Sequence, residues 1–561
     1  MGFDLVVRNG TVVDGSGGPR VRADVAVADG RIVAIGKIDE QGREEIDAEG
    51  LIVAPGFVDA HTHMDAQLFW DELGSTSCYH GVTTAVMGNC GFTLAPARPA
   101  ETALVVRNLE RAEDISAEAM ALGIDWTWST FAEYLDAVEA QRKGINYAGS
   151  IGHSALRTWA MGDRAFSETA TPAEIEVMAA ELRSGLAAGA VGFSTSRSAS
   201  HLTGDDRPVA SRQASWDELI TLVGIMSRES NGCFQLAPET HHYDPDGMAD
   251  YERRLQELAL STGVAVSYGV IGGKSTRFID ETVALGGRMY GFTHCRGVSE
   301  VQSFLTHLRF DVLPEWQEVR DKPLEEQRRL LQDPEVRARL VHAAHHGDYG
   351  DARGPNSKPN YGELRVIRSA YLPNPTVAEI AKERGVDPVE LMIDLALEED
   401  FDVFFQQFFG LENDEQMIAL LRNPNTAMTF SDSGAHVRSI IDSSIQSHLL
   451  AYWVRERGLL SLEEAIQMMT SRPAKIWNLN DRGLLREGYA ADITIFDPDT
   501  VAPGLPTVIH DLPGGSARLF QKAEGFKATI VNGQIFMRDG EPTAARAGQL
   551  LRANGGRRSA A

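Results

Sequence analysis

Residues 54–91 read APGFVDAHTHMDAQLFWDELGSTSCYHGVTTAVMGNCG, and the rest of the chain is organised around them. An apolar run, Leu51-Ile52-Val53, leads through Pro55-Gly56 into Phe57-Val58-Asp59-Ala60 and then His61-Thr62-His63. Side chains alternate along a strand, so Val58, Ala60 and Thr62 would share one face and Asp59, His61 and His63 the other. Both imidazoles then point the same way, about 6.5–7 Å apart along the backbone. That spacing allows them to chelate one ion with Zn–N bonds of about 2.0–2.1 Å. A second apolar run, Val82 to Met87, ends at Gly88-Asn89-Cys90-Gly91, where a cysteine among turn residues could offer a thiolate to the same ion. A lone His-x-His also reads as two hydrogen-bonded strand residues. The buried-strand pattern, the following Asp65 and the cysteine at a later strand end favour the metal.

Working outward, 561 residues exceed one small core. Hydrophobic and charged contents of 43% and 24% are ordinary for a globular protein. A formal charge of −26 argues against nucleic acid or an anionic membrane as partner, because both repel an acidic surface. No run approaches about 18 apolar residues, and the N-terminus lacks the pattern of a signal peptide. Cys78, Cys90, Cys233 and Cys295 do not space out as a disulfide framework. A reducing cytoplasm is the expected location.

Both ends of the chain read as short strands and turns. Hairpins are expected around Asn9-Gly10, Asp29-Gly30 and Asn532-Gly533. One small β domain built from both termini follows. Between them, short apolar runs alternate with helical patterns, as in βα units and a parallel sheet. One helix opens at Thr171-Pro172-Ala173-Glu174, buries Ile175, Met178, Ala179, Leu182 and Leu186, and stops at Gly189. Close to eight such units predict an α/β fold with a TIM-like (β/α)8 barrel. Residues 297–361 are charged, helical and too long for an ordinary loop, which makes them an insertion. The expected division is 1–54 with 481–545 for the terminal β domain, 55–480 for the barrel, 297–361 for the insertion and 546–561 for a disordered tail.

PGFVDAHTH resembles the first barrel strand of the metal-dependent amidohydrolase superfamily, and GVTTAVMGNCG resembles its N-acyl-D-amino-acid deacylase (D-aminoacylase) branch, in which a cysteine after the second strand holds the metal. The resemblance implies a β-sandwich from the two termini and a helical lid over the barrel mouth at the insertion. It implies metal ligation by His61, His63 and Cys90. It also matches Asp432, in FSDSGAH, to the aspartate that acts as general base and acid; Asp before Ser-Gly is also Asx-turn chemistry, but the position after the last barrel strand favours catalysis. The implied activity is zinc-dependent hydrolysis of a carbon–nitrogen bond, in which zinc-bound hydroxide attacks the amide of an N-acyl (D-)amino acid or related N-acyl compound. One zinc is expected, with room for a second. The partner is a small amide substrate, and association into a homo-oligomer is allowed.

The typical deacylase has further metal histidines on its fifth and sixth strands. Here those strands read CFQLAPETHH and VAVSYGVIGGK. Glu239, His241, His242, His294 and Tyr268 are the candidates to replace them as ligands or substrate contacts, and Lys274 is the remaining polar group nearby. His153 is balanced between binding substrate and orienting a loop. Arg197 and Arg438 are candidates to pair with a substrate carboxylate, or ordinary ion-pair arginines. His345-His346 could face the site, or be solvated. The rival readings are hydrolysis of a cyclic or aryl amide, and a barrel that binds without turnover.

Overall fold

The computed structural model describes residues 2–239, 244–271, 275–350, 357–410 and 413–553. Eight parallel strands follow one another in sequence order across one sheet: Phe57–Asp59, Val82–Met87, Asn146–Gly152, Gly192–Ser196, Cys233–Ala237, Ala265–Gly269, Arg288–Thr293 and Thr426–Met428. Most are buried along their whole length, as strands covered on both faces must be. Just past the two outermost strands, His61–Thr62 and Phe430–Ser433 pair in parallel, with Phe430 opposite His61. The Thr429 hydroxyl joins the same seam by donating to the Val58 carbonyl at 3.0 Å. The two sheet edges therefore meet beside the His-x-His, an arrangement consistent with a TIM-like barrel.

The helix expected after Thr171 spans Pro172–Ala188. Thr171 and Glu174 cap each other's backbone N–H, and Gly189 ends the helix in the left-handed region at φ 110°. Met178, Ala179, Leu182 and Leu186 are buried, with Ile175 half-buried. Glu181 on the same face is buried as well, and it accepts the Phe131 N–H at 2.8 Å. A carboxylate tolerates that position only when so partnered.

Strands from both ends meet in one nine-stranded sheet. Ile52–Pro55 pairs with Phe3–Val12 on one side and with Ile493–Phe496 on the other. Asp29-Gly30 and Asn532-Gly533 form the expected tight turns, both residues of each at positive φ. Asn9-Gly10 does not. Phe3–Val12 is one continuous strand, and the left-handed Asn9 makes a bulge where the pairing slips between Val7 and Gly10. Its backbone N–H donates to Asp24 and its amide to Asp47, and these contacts hold the bulge in a strand. Residues 546–553, expected in a disordered tail, are instead bound to the rest of the molecule. The Tyr147 N–H donates to the Gln549 carbonyl at 2.9 Å, and the Leu551 N–H to that of Tyr147 at 2.7 Å. Arg552 pairs with Asp136 and Glu139. These bonds tie residues 546–553 to the base of the parallel sheet, and 554–561 lie outside the described residues.

The inserted helices, Pro314–Arg320, Leu324–Gln332 and Pro334–His346, share a core with residues as far as Phe405. Trp316, Leu340, Leu391, Phe401 and Phe405 lie in that core. The helices Val377–Arg384 and Pro388–Glu398 belong to it too, along with an antiparallel sheet of Val298–Gln302, Phe405–Phe409 and Arg365–Val366. The unit thus forms a core separate from that of the barrel helices.

Candidate metal centre

His61 and His63 sit where the first parallel strand runs into the seam, and both are buried. Their ring centres are 5.5 Å apart, and His61 stacks on Phe430 at 4.0 Å. Cys90 arrives from the end of the next strand with its sulfur 3.5 Å from His61 Nε2. Ligand atoms of His61, His63 and Cys90 all lie within 4.8 Å of one another. Two ligands of a tetrahedral zinc stand about 3.3–3.6 Å apart, given bonds of about 2.0–2.3 Å. Cys90 reaches this position at φ 53°, in the left-handed region that a non-glycine residue rarely adopts. Gly88 before it has φ 80°, and a Cβ there would meet the Ser150 carbonyl oxygen at 2.1 Å.

Asp432 faces both imidazoles: its Oδ1 is 3.2 Å from His61 Nε2 and 3.5 Å from His63 Nε2. It too is left-handed, at φ 51°. The following Gly434 has φ 96° and lies against the His63 carbonyl, where a side chain would collide. Burial pushes the Asp432 carboxyl up, but bonds and charge from His61 and His63 outweigh it and hold the group well below the carboxylate range. Burial holds His63 below its ordinary value, which favours the neutral, ligating imidazole. His63 Nδ1 and Nε2, and His61 Nδ1, are buried without a hydrogen-bond partner. Donor atoms of this kind, converging and unsatisfied, fit a metal ion.

Two further residues stand at this centre without having been singled out from the sequence. Glu113 is 3% exposed and brings Oε2 to 3.4 Å from His63 Nε2 and 3.7 Å from His436 Nε2. Burial, then the charge of Asp432, pushes its carboxyl well up. The two carboxylates are thus driven apart in proton affinity. Glu113 lies in a polar stretch between two short helices, RAEDIS, and no spacing ties it to the histidines. His436 closes the FSDSGAH segment, and its backbone N–H donates to the Glu113 carbonyl at 2.7 Å.

The remaining candidates fall elsewhere. His153 is fully buried; Nδ1 bonds Thr195 at 2.9 Å and Nε2 bonds Glu218 at 2.9 Å, so both ring nitrogens serve the protein. Arg197 pairs with Glu239, donates to the Ala214 carbonyl, and packs over Trp216. Arg438 donates to the Thr306 carbonyl of the inserted unit at 3.1 Å. His345 bonds Asp387 within that unit at 2.8 Å. His294 is buried with its ring 5.6 Å from Phe430, the ring on which His61 stacks. Neither it, Glu239 nor Tyr268 belongs to the cluster of His61, His63 and Cys90 found among the described residues. His241, His242 and Lys274 lie outside the described residues.

A family model described as the amidohydrolase family matches residues 44–537. The chain belongs to that family. The N-acyl-D-glutamate deacylase of Alcaligenes xylosoxydans xylosoxydans is 30% identical over 89% of this chain and 88% of that protein. The D-aminoacylase of the same organism is 28% identical over 98% of this chain and 97% of that protein. Among solved structures, N-acyl-D-glutamate deacylase from Bordetella bronchiseptica, complexed with zinc and a phosphonate inhibitor, matches with a TM-score of 0.63. It is 26% identical and covers 99% of this chain and 100% of its own. The fold is therefore the D-aminoacylase type, and the protein is a metal-dependent hydrolase of carbon–nitrogen bonds other than peptide bonds.

As an amidohydrolase of this branch, the chain presents Gln235 to the centre from its fifth strand. The Gln235 side-chain oxygen accepts the Cys90 N–H at 2.6 Å, and its nitrogen stands 4.0 Å from the Cys90 sulfur. Behind the amidohydrolase site, Ser431 donates to Asp59 at 2.5 Å and exchanges a bond with Ser433 at 2.8 Å. Ser433 in turn meets Ser77 and Ser443, each at 2.8 Å. Burial raises the Asp59 carboxyl to about 8. This network anchors both sides of the strand end that carries Asp432. Among the described residues, no helix is long and apolar enough to cross a membrane.

Proposed function

We propose that this amidohydrolase removes the acyl group from an N-acyl D-amino acid or a related N-acyl compound, with zinc held by His61, His63 and Cys90. The observation that carries the reading is the convergence of those three ligand groups within 4.8 Å, with Asp432 Oδ1 3.2 Å from His61 Nε2. Zinc bound there supplies a Lewis acid for the amide carbonyl and lowers the pKa of water. Asp432, kept anionic at neutral pH, takes the proton of the attacking water and returns it to the departing amine. The similarity to D-aminoacylase and to N-acyl-D-glutamate deacylase supports the substrate class.

The nine-stranded terminal sheet serves as the family's β-sandwich, and the inserted unit, including 297–361, as a lid on the 55–480 barrel. Its attachment supports this: Val301 donates to the Ser439 carbonyl at 2.7 Å, and Arg438 reaches Thr306, both just after Asp432. Four cysteines, all free and buried, support a cytoplasmic location.

The test is zinc per chain on protein purified without chelator, with release of free amine from matched N-acyl-D- and N-acyl-L-amino acids. One or two zinc ions and turnover of the D series, lost on chelation and recovered with zinc, is the expected result. Turnover confined to hydantoins or anilides moves the substrate to cyclic or aryl amides. Neither zinc nor turnover leaves a binding protein.

A further inference from the structure

We infer that Glu113 is a metal ligand of this chain, joining the centre beside His63. The inference rests on the metal reading proposed above and extends it to a residue outside both signature motifs. Its basis is a side chain that makes no sense as packing. Glu113 is 3% exposed, and its Oε1 is buried without a hydrogen-bond partner. Buried carboxylates are ordinarily paired with a cation or bonded to several donors. Among the described residues no lysine or arginine pairs with Glu113; the basic side chains within 4 Å of its carboxylate are His63 and His436.

The separation between Glu113 and His63 is one that two ligands of a single zinc have. His63 Nε2 lies 3.4 Å from Glu113 Oε2, facing the carboxylate across the centre. Atoms sharing one zinc stand about 3.3–3.6 Å apart, for bonds of about 2.0–2.3 Å. The loop that delivers Glu113 is built to hold it there. Its N–H donates to the Leu109 carbonyl at 3.0 Å, its own carbonyl accepts from His436, and the next residue, Asp114, turns the chain at φ 49°. The fifth strand, meanwhile, offers Gln235 to the Cys90 backbone instead of a ligand to the metal. The 110–116 loop thereby brings a hard oxygen donor to the centre.

The test compares zinc affinity of the full-length wild type and Glu113→Gln, by competition with a chromophoric chelator, and reads the Co²⁺ spectrum of each. Glu113→Gln is expected to weaken zinc at least about tenfold and to alter the Co²⁺ d–d bands while the Cys90 thiolate charge-transfer band persists. The metal-free variant is expected to melt no lower than metal-free wild type, with a smaller rise on adding zinc. Zinc affinity within twofold of wild type and an unchanged cobalt spectrum would overturn the assignment. So would a lower melting temperature without metal and an undiminished zinc-dependent rise, which is the behaviour of a packing residue. If Glu113→Gln does not fold, Glu113→Asp carries the test: weaker zinc and shifted cobalt bands support ligation, and wild-type values of both refute it. Wild type that binds no zinc removes the metal reading itself, whereas zinc-loaded wild type beside an unaffected variant removes only Glu113.

Discussion

At the scale of single residues, the centre depends on backbone conformations that side chains rarely choose. Cys90, Asp432 and His436 all have positive φ, and each belongs to a turn packed against the parallel strand ends. Such positions cost about 1–3 kcal/mol each and persist only when the surroundings hold them. Here the Gln235 side-chain oxygen holds Cys90, and the Ser431–Ser433 hydroxyls and Gly434 hold Asp432. Asp432→Asn keeps that shape and removes only the proton acceptor. It is expected to lower kcat by about 10²–10⁴-fold, the span of general acid–base catalysis, while zinc content stays at the wild-type level. Loss of zinc together with activity would instead make Asp432 a ligand. At this scale the His-x-His, the cysteine and the aspartate are legible in the sequence because each sits at the end of an apolar run. Glu113 is not, because nothing local distinguishes it from any acidic residue of an exposed loop.

At the scale of elements, the helices around the barrel carry one buried ionic group that concerns stability. Glu218, in the first turn of the helix Trp216–Glu229, joins His153 and Arg157 of the helix His153–Met161. All three side chains are fully buried. Burial pushes the Glu218 carboxyl up, but His153 and Arg157 outweigh it and bring it down to about 2. Because the folded value lies below the ordinary 4.5, the contribution to stability is complete above that pH and is lost as pH falls through about 2. Glu218→Gln leaves Arg157 buried without its anion, and is expected to destabilise by about 3–5 kcal/mol at neutral pH. The gap to wild type should narrow as denaturant unfolding is repeated from pH 5 downward; a gap constant with pH would refute the ionic account. The GHSALR stretch was legible as a special segment, but its role was not. Only the approach of a helix from 61 or more residues away shows that His153 and Arg157 join Glu218 in an ion network.

At the scale of the whole molecule, the chain closes on itself twice. Its two ends share the nine-stranded sheet, and residues 546–553 then cross to the base of the barrel. Tyr147 and Gly189, from two neighbouring parts of the barrel, accept or donate backbone bonds to that crossing. Truncation after residue 545 removes at least three backbone hydrogen bonds and the Arg552 ion pairs. At about 0.5–1.5 kcal/mol per hydrogen bond, it should lower the melting temperature by several degrees with the zinc site intact. An unchanged melting curve would show the crossing to be passive.

What the sequence determined by itself is whatever rests on local period and turn chemistry. The alternation of apolar runs with capped helices specified a parallel α/β sheet, and His61 and His63 two residues apart had to share a strand face. Tertiary structure alone decided the matters in which two remote segments compete for the same groups. Asn9-Gly10 has the chemistry of a hairpin turn, but Asp24 and Asp47 bind it within a continuous strand. Which anion Arg197 pairs with was open in the sequence, and packing sets it against Glu239 and over Trp216. Glu113 reads as surface, yet its carbonyl binds the His436 backbone and its side chain is buried beside His63. Hydrogen bonds and ion pairs are short-ranged, so which partner a group finds is fixed by packing distance and not by separation along the chain.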